Sequence, residues 1–183
     1  MLTRQNAPVL TQIMTEATET GAAYHGEAWE AFAVAEVGAA AALAGLLVVA
    51  SSINIARILE YPGVVARLAG ALTLFTGVLV VGTLLLVPGF GRVGLGLAVA
   101  VVGVGLSLIV VRFRGTENTE PQYRRAALAS LVVALAATLS VTVAGISCAV
   151  GVGGGLYWLA PGVLLAFAIG VINAWVALVE ILR

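Results

Sequence analysis

The ionisable residue hardest to place in this chain is Glu36. It lies about two turns inside an apolar stretch that meets no further charge until Arg57. A charge in hydrocarbon is costly unless it faces protein or water. Two kinds of chemistry would keep it there. As a proton or cation site it would form a ring of carboxylates in a homo-oligomer. As a structural group it would reach out towards the headgroups, or pair with Arg92, the only arginine expected near the same membrane surface, and so hold the first and third spans together. Glu36 sits near a span end and not at the midplane, which makes the structural role the expectation.

The other polar residues in apolar stretches fall into two groups. Asn54 lies 18 residues beyond Glu36, five turns and about 27 Å along the same helical face. Ser51 and Ser52 add hydroxyls beside it, and Arg57 is within helical reach of Asn54. Near the other terminus Asn173 and Glu180 are seven residues apart and share a face, with Arg57, Arg67 and Arg183 as candidate partners for Glu180. Interhelical hydrogen bonds and interfacial ion pairs of about 0.5 to 2 kcal/mol each are the expected role. The alternative is that Asn54, Asn173 and Glu180 line the cytoplasmic mouth of a pathway.

Other chemistries find little material. One cysteine, Cys148, and one histidine, His25, provide neither an intrachain disulfide nor the four ligands of a structural zinc site. Cys148 therefore reads as a small apolar filler of a helix, and no metal or cofactor is expected. Gly89, Gly91 and Gly94 spell GxGxxG, but a dinucleotide turn needs a preceding strand and an acid about 20 residues on. Pro88 and apolar runs flank the motif, and no acid occurs between Gly94 and Val111. All nine acids are Glu and all nine bases Arg. A carboxylate dyad would need a second Glu at the depth of Glu36, and the chain has none there. We expect no enzyme and no nucleic-acid binding.

These residues must be positioned by membrane helices. The chain has 183 residues, 61% hydrophobic and 10% charged, with a mean hydropathy of +1.11; soluble domains carry about 25% charge. A span needs about 20 apolar residues, and five such runs appear: Ala28 to Leu59, Val64 to Val87, Arg92 to Val111, Glu120 to Val150 and Pro161 to Leu182. The expected fold is therefore an all-α, polytopic bundle of five transmembrane helices over 28–183, preceded by a polar tail over 1–27. That tail lacks the pattern of a cleaved signal peptide, so the first span is expected to act as the uncleaved targeting signal. Val9, Leu10, Ile13, Met14 and Ala17 in the tail recur at helical spacing.

The punctuation supports the same division. Tyr61, Pro62 and Gly63 make one turn, and Pro88, Gly89 and Gly91 another. Thr119 and Gln122 have capping-box spacing, with Pro121 in the first turn of the fourth helix. Glycines at 151, 153, 154 and 155 break the chain before Pro161. Small residues recur every three or four positions in Gly38, Ala42 and Gly45, in Gly145, Ala149 and Gly153, and in Ala166, Gly170 and Ala174. This spacing lets helices approach closely, either within the chain or between chains.

Alternation of the five spans puts Arg4 and Arg92 on one side and the other seven arginines on the opposite side. Cytoplasmic loops carry the arginine excess, so the N-terminus is expected outside and the C-terminus in the cytoplasm. With the glutamates included, the net charge of zero divides into about minus three outside and plus three inside. Tyr24, Trp29, Phe90, Tyr157 and Trp158 are expected in an outer aromatic belt, with Tyr61, Phe113 and Tyr123 in an inner one.

The segment AAAALAGLLVVASSINIARIL from Ala39 to Leu59, the Tyr61, Pro62, Gly63 turn, GGLYWLAPG from Gly154 and the closing INAWVALVEILR resemble a family of small prokaryotic membrane proteins. Some members of that family are labelled modulators of a membrane-bound AAA protease. The resemblance covers the first and last spans. It implies at most a non-enzymatic membrane protein with a protein partner, and it carries no catalytic residue. The leading expectation is an accessory or scaffold protein acting through helix contacts with itself or another membrane protein. The runner-up is a small homo-oligomeric channel or transporter using Glu36, Asn54, Asn173 and Glu180.

Overall fold

The computed structural model describes residues 21–114 and 124–182, and these are all-helical. Five of the helices are long and apolar enough to cross a membrane, as the run lengths predict. In chain order the helices are α1 Glu30–Ile53, α2 Ile55–Leu59, α3 Pro62–Leu86, α4 Arg92–Arg114, α5 Arg124–Val150 and α6 Leu159–Leu182. Short 3₁₀ turns at Gly26–Trp29 and Gly155–Trp158 lead into α1 and α6. The expected capping box at Thr119 and the amphipathic tail segment lie outside the described residues.

Two boundaries differ from the sequence reading for local reasons. The first run was expected to continue to Leu59, but the helix breaks at Asn54, whose φ of −116° and ψ of 23° leave the helical region. Just before the break, Ser51 Oγ donates to Leu47 O at 2.7 Å and Ser52 Oγ to Val48 O at 2.8 Å. Such back-bonding bends helices and weakens them. The chain resumes as the short α2, and Pro62 then holds Tyr61 extended and opens α3. The second difference is at the start. Residues 21–27 were expected in the polar tail, yet Ala23 is buried and its carbonyl accepts the Leu156 N–H at 2.7 Å.

Helices α3 to α6 form a four-sided bundle in which each packs on the next and α6 closes back on α3. Helix α1 lies outside this square, mainly against α3. The core is layered. Trp29, Leu85, Leu95, Cys148 and Leu159 meet at one end, Ala40, Leu74, Val78, Ala137 and Ala166 in the middle, and Leu47, Ile58, Leu68 and Phe75 at the other. We call the two ends the Trp29 end and the Arg57 end.

The closest approach joins α4 to α5. A methyl group on Gly96 would strike the backbone of Gly145 and Ala149, one on Gly145 the backbone of Ala100 and Gly96, and one on Gly103 the backbone of Thr142. The Gly145 and Ala149 stripe is thus matched within the chain by Gly96, Ala100 and Gly103, a partner stripe that the sequence reading did not single out. Ser107 Oγ donates to Thr138 Oγ1 at 2.9 Å across the same seam. On α6, Gly170 lies against the ring of Phe75 in α3, where a Cβ would come within 2.6 Å of Cε1. The Gly38, Ala42 and Gly45 stripe of α1 is different. All three residues are exposed, and nothing lies within 4 Å of a Cβ built on Gly38 or Gly45.

Candidate functional site

Glu36 lies on the bundle-facing side of α1 and is half-buried. Ala33 and Ala40, one turn to either side on the same face, are fully buried. Oε2 of Glu36 is itself buried and has no hydrogen-bond partner. The expected ion pair with Arg92 is not formed, nor does Glu36 reach outward. Arg92 opens α4 at the Trp29 end. Its guanidinium is packed against Gly151, where an added methyl group would overlap Nη1. Helical geometry explains the difference: six residues of α1 beyond Glu30 carry Glu36 about 9 Å deeper than the helix start, into the layer of Phe32, Val78 and Val81.

The second expected group is dispersed. Asn173 is buried, and its Oδ1 accepts from Ser130 Oγ at 3.1 Å, so it links α6 to α5 as an interhelical hydrogen bond. Asn54 marks the break after α1, and Arg57 is exposed on α2 with no hydrogen bond between the two. The side chain of Glu180 lies outside the described residues. Asn54 and Asn173 therefore sit in different local roles.

Among the described residues, two spaces between the helices have about 10 Å³ each, room for one water molecule at most. One borders Asn173 and Thr73, the other Leu106 and Thr138. Glu36 lines neither. Among the described residues, no group of three His, Cys, Asp or Glu side chains could hold a metal ion.

The constellation that sequence reasoning missed is at the Trp29 end. There a cavity of about 290 Å³ opens between the start of α1 and the α3–α4 turn, with His25, Glu27, Glu30 and Arg92 among its lining residues. The loop beside it, which touches Arg92 and Ala23, depends on glycine. Gly151, Gly153, Gly154 and Gly155 all have positive φ, from 54° to 95°, a backbone conformation that strains residues with a Cβ. At Gly155 a Cβ would also overlap Ala23 O. Ser147 fixes this loop by accepting the Gly155 N–H at 2.8 Å and donating to Val152 O.

The N-terminal segment is tied in the same way. Trp29 Nε1 donates to Ala22 O at 2.9 Å. Its ring meets Phe32 and Tyr157 edge-on at 5.4 and 5.2 Å. Trp29 was expected in an aromatic belt and is instead buried, while Tyr157, Trp158 and Phe90 are exposed at this end. Cys148 is buried beneath it, 3.8 Å from the carbonyls of Tyr24 and Arg92, the filler role expected of it. The signal available in the sequence was the four glycines together with His25, Glu27 and Glu30 just before the first span. What it lacked was the docking of residues 21–29 onto the 151–155 loop.

No family model, curated protein or solved structure matches this chain.

Proposed function

We propose that this is a non-enzymatic accessory or scaffold protein that works through helix contacts in the membrane, and that the contact is with a second copy of the chain along α1. The carrying observation is the open stripe of Gly38, Ala42 and Gly45 on the one spanning helix that lies outside the four-sided bundle. Small residues at this spacing let two backbones approach closely in lipid. A stripe on a peripheral helix is also self-complementary, so two copies related by a two-fold axis bury it on both sides.

We place the protein as a multi-pass component of a prokaryotic cytoplasmic membrane, N-terminus outside. Two features support this. Among the described residues, Arg57, Arg67, Arg112, Arg114, Arg124 and Arg125 lie at the Arg57 end and only Arg92 at the other, and the resemblance in the first and last spans is to prokaryotic membrane proteins. A partner of the AAA-protease kind would fit the same accessory role.

One observation favours the second reading, an oligomeric channel or transporter. It is the buried, unpartnered Oε2 of Glu36, since intramembrane carboxylates mark ion and proton pathways. A single set of measurements separates the two. In nanodiscs and proteoliposomes we expect wild type to be a dimer without ion flux, and G38L/G45L to be a folded monomer. Flux that disappears in E36Q would overturn the scaffold reading, and a wild type that stays monomeric at high protein-to-lipid ratio would overturn the α1 contact.

A further inference from the structure

We propose that the cavity at the Trp29 end binds a small zwitterion, a molecule carrying an anionic group and a primary ammonium a few ångströms apart. Its volume of about 290 Å³ lies at the lower end of the range for small-molecule sites. It is far larger than the spaces between the helices, at about 10 Å³. The lining is divided by charge: Arg92 comes from the start of α4, while Glu27 and Glu30 come from the entry to α1.

No ion pair joins Arg92 to either carboxylate or to any other described acid, although all three border one space. A guanidinium left open in this way presents a planar donor fork suited to phosphate or carboxylate. It is also held in place, because its head rests on Gly151, which has no Cβ to displace it. The lining contributed by the entry to α1 offers acceptors. Glu27 and Glu30 are acidic, and His25 engages Gly21 O through Nδ1 at 2.8 Å. In the neutral imidazole that donates from Nδ1, Nε2 can accept. An ammonium donates three hydrogen bonds and matches this wall, whereas a simple anion would meet two carboxylates there.

The position at the end of the spans, with Phe90 and Tyr24 at its border, allows two sources of one chemistry. One is an ethanolamine phosphate headgroup still attached to its lipid, and the other is a free zwitterion of the same kind. The proposal stands independently of the α1 contact, because no residue of the α1 stripe borders the cavity.

The test is native mass spectrometry of the purified full chain. It would be offered palmitoyl-oleoyl phosphatidylethanolamine, the corresponding phosphatidylglycerol and, separately, free phosphoethanolamine. We expect phosphatidylethanolamine to be retained in preference to phosphatidylglycerol. R92Q should weaken its binding roughly tenfold or more, as expected for losing a hydrogen bond to a charged group. E27Q/E30Q should abolish the preference between the two lipids. V87W, which fills the cavity from its border without changing charge, should weaken binding as well and covers the event that a charge variant fails to fold. Binding of free phosphoethanolamine would identify a soluble zwitterion as sufficient, and binding of the lipid alone would identify the headgroup in its membrane. Equal retention of both lipids that R92Q, E27Q/E30Q and V87W all leave unchanged would overturn the proposal, as would binding of none of the three probes.

Discussion

Two stripes of small residues in this molecule have the same spacing and opposite surroundings. In α5, Gly145 and Ala149 are pressed into Gly96 and Ala100 of α4 so closely that no methyl group fits at Gly96 or Gly145. In α1, Gly38 and Gly45 face open space. The comparison shows that small-residue spacing states only how near a second helix can come. Whether the chain supplies that helix depends on connectivity. Helices α4 and α5 are consecutive and antiparallel, so their glycines meet along the whole seam, whereas α1 is joined through α2 and Tyr61 to α3 and turns its other face inward.

The comparison is broken most severely at Gly145. An alanine there drives Cβ into the backbone of Ala100, and backbone atoms cannot rotate aside as a long side chain can. The helices must separate, with loss of contacts along the seam. We expect G145A to cost about 3 kcal/mol or more, the upper end for overpacked cores. Reversible unfolding of the purified protein would measure it. If G145A matched wild type, the close α4–α5 packing described here would be wrong.

The next effect lies in the glycine loop at the Trp29 end. Ser147 serves two loop groups at once, accepting from Gly155 N and donating to Val152 O. S147A leaves a buried N–H without a partner, which costs about 1–3 kcal/mol. The loop also holds Ala23 through Leu156 N, so residues 21–29 should loosen first. Hydrogen exchange at residues 21–29 should rise in S147A by more than exchange in α4. Equal increases in both would show that Ser147 stabilises the bundle as a whole and not this cap.

How much of this could be read from the chain depends on the range of the interaction. The five spans were legible because each is a continuous apolar run with Pro, Gly or charge at its ends, a purely local property. The break at Asn54 was less so: Ser51 and Ser52 bond back to Leu47 and Val48 just before it, and serines in spans commonly do this without a break. Glu36 was recognised as anomalous from its depth alone. Its pairing with Arg92 was misjudged because Glu36 lies about 9 Å deeper than the start of α1, on the face that Ala33 and Ala40 turn into the bundle. The charged cavity escaped notice because His25, Glu27, Glu30 and Arg92 are brought together by the turn between α3 and α4 and by a docked segment, neither of which leaves a periodic signal.

The sign of a smaller effect distinguishes the two stripes more sharply than its size. At Gly38 an added methyl group meets nothing within 4 Å, so alanine gains helix propensity without a clash. We expect G38A to stabilise the isolated chain by about 0.5–1 kcal/mol, opposite in sign to G145A. Unfolding measured under dilute conditions, where one chain occupies one nanodisc, isolates this term from any α1 contact between copies. A destabilised G38A under those conditions would place a neighbour against α1 that this structure lacks.

The smallest expected effect tests whether the α4–α5 seam depends on shape or on polarity. Ser107 Oγ reaches both Gly103 O within its own helix and Thr138 Oγ1 across the seam, each at 2.9 Å. Thr138 keeps its own bonds to Ala134 O and Leu135 O at 3.2 Å when Ser107 is removed, so no buried donor is orphaned. Hydrogen bonds of this kind between membrane helices average about 0.6 kcal/mol, several-fold below the cost expected for G145A. S107A should therefore shift stability by roughly that amount, and S107A/T138V by little more, because a valine fills the space of the threonine. A loss in the double variant comparable to G145A would mean that the hydroxyl pair, and not the backbone approach at Gly96 and Gly145, holds the two helices together.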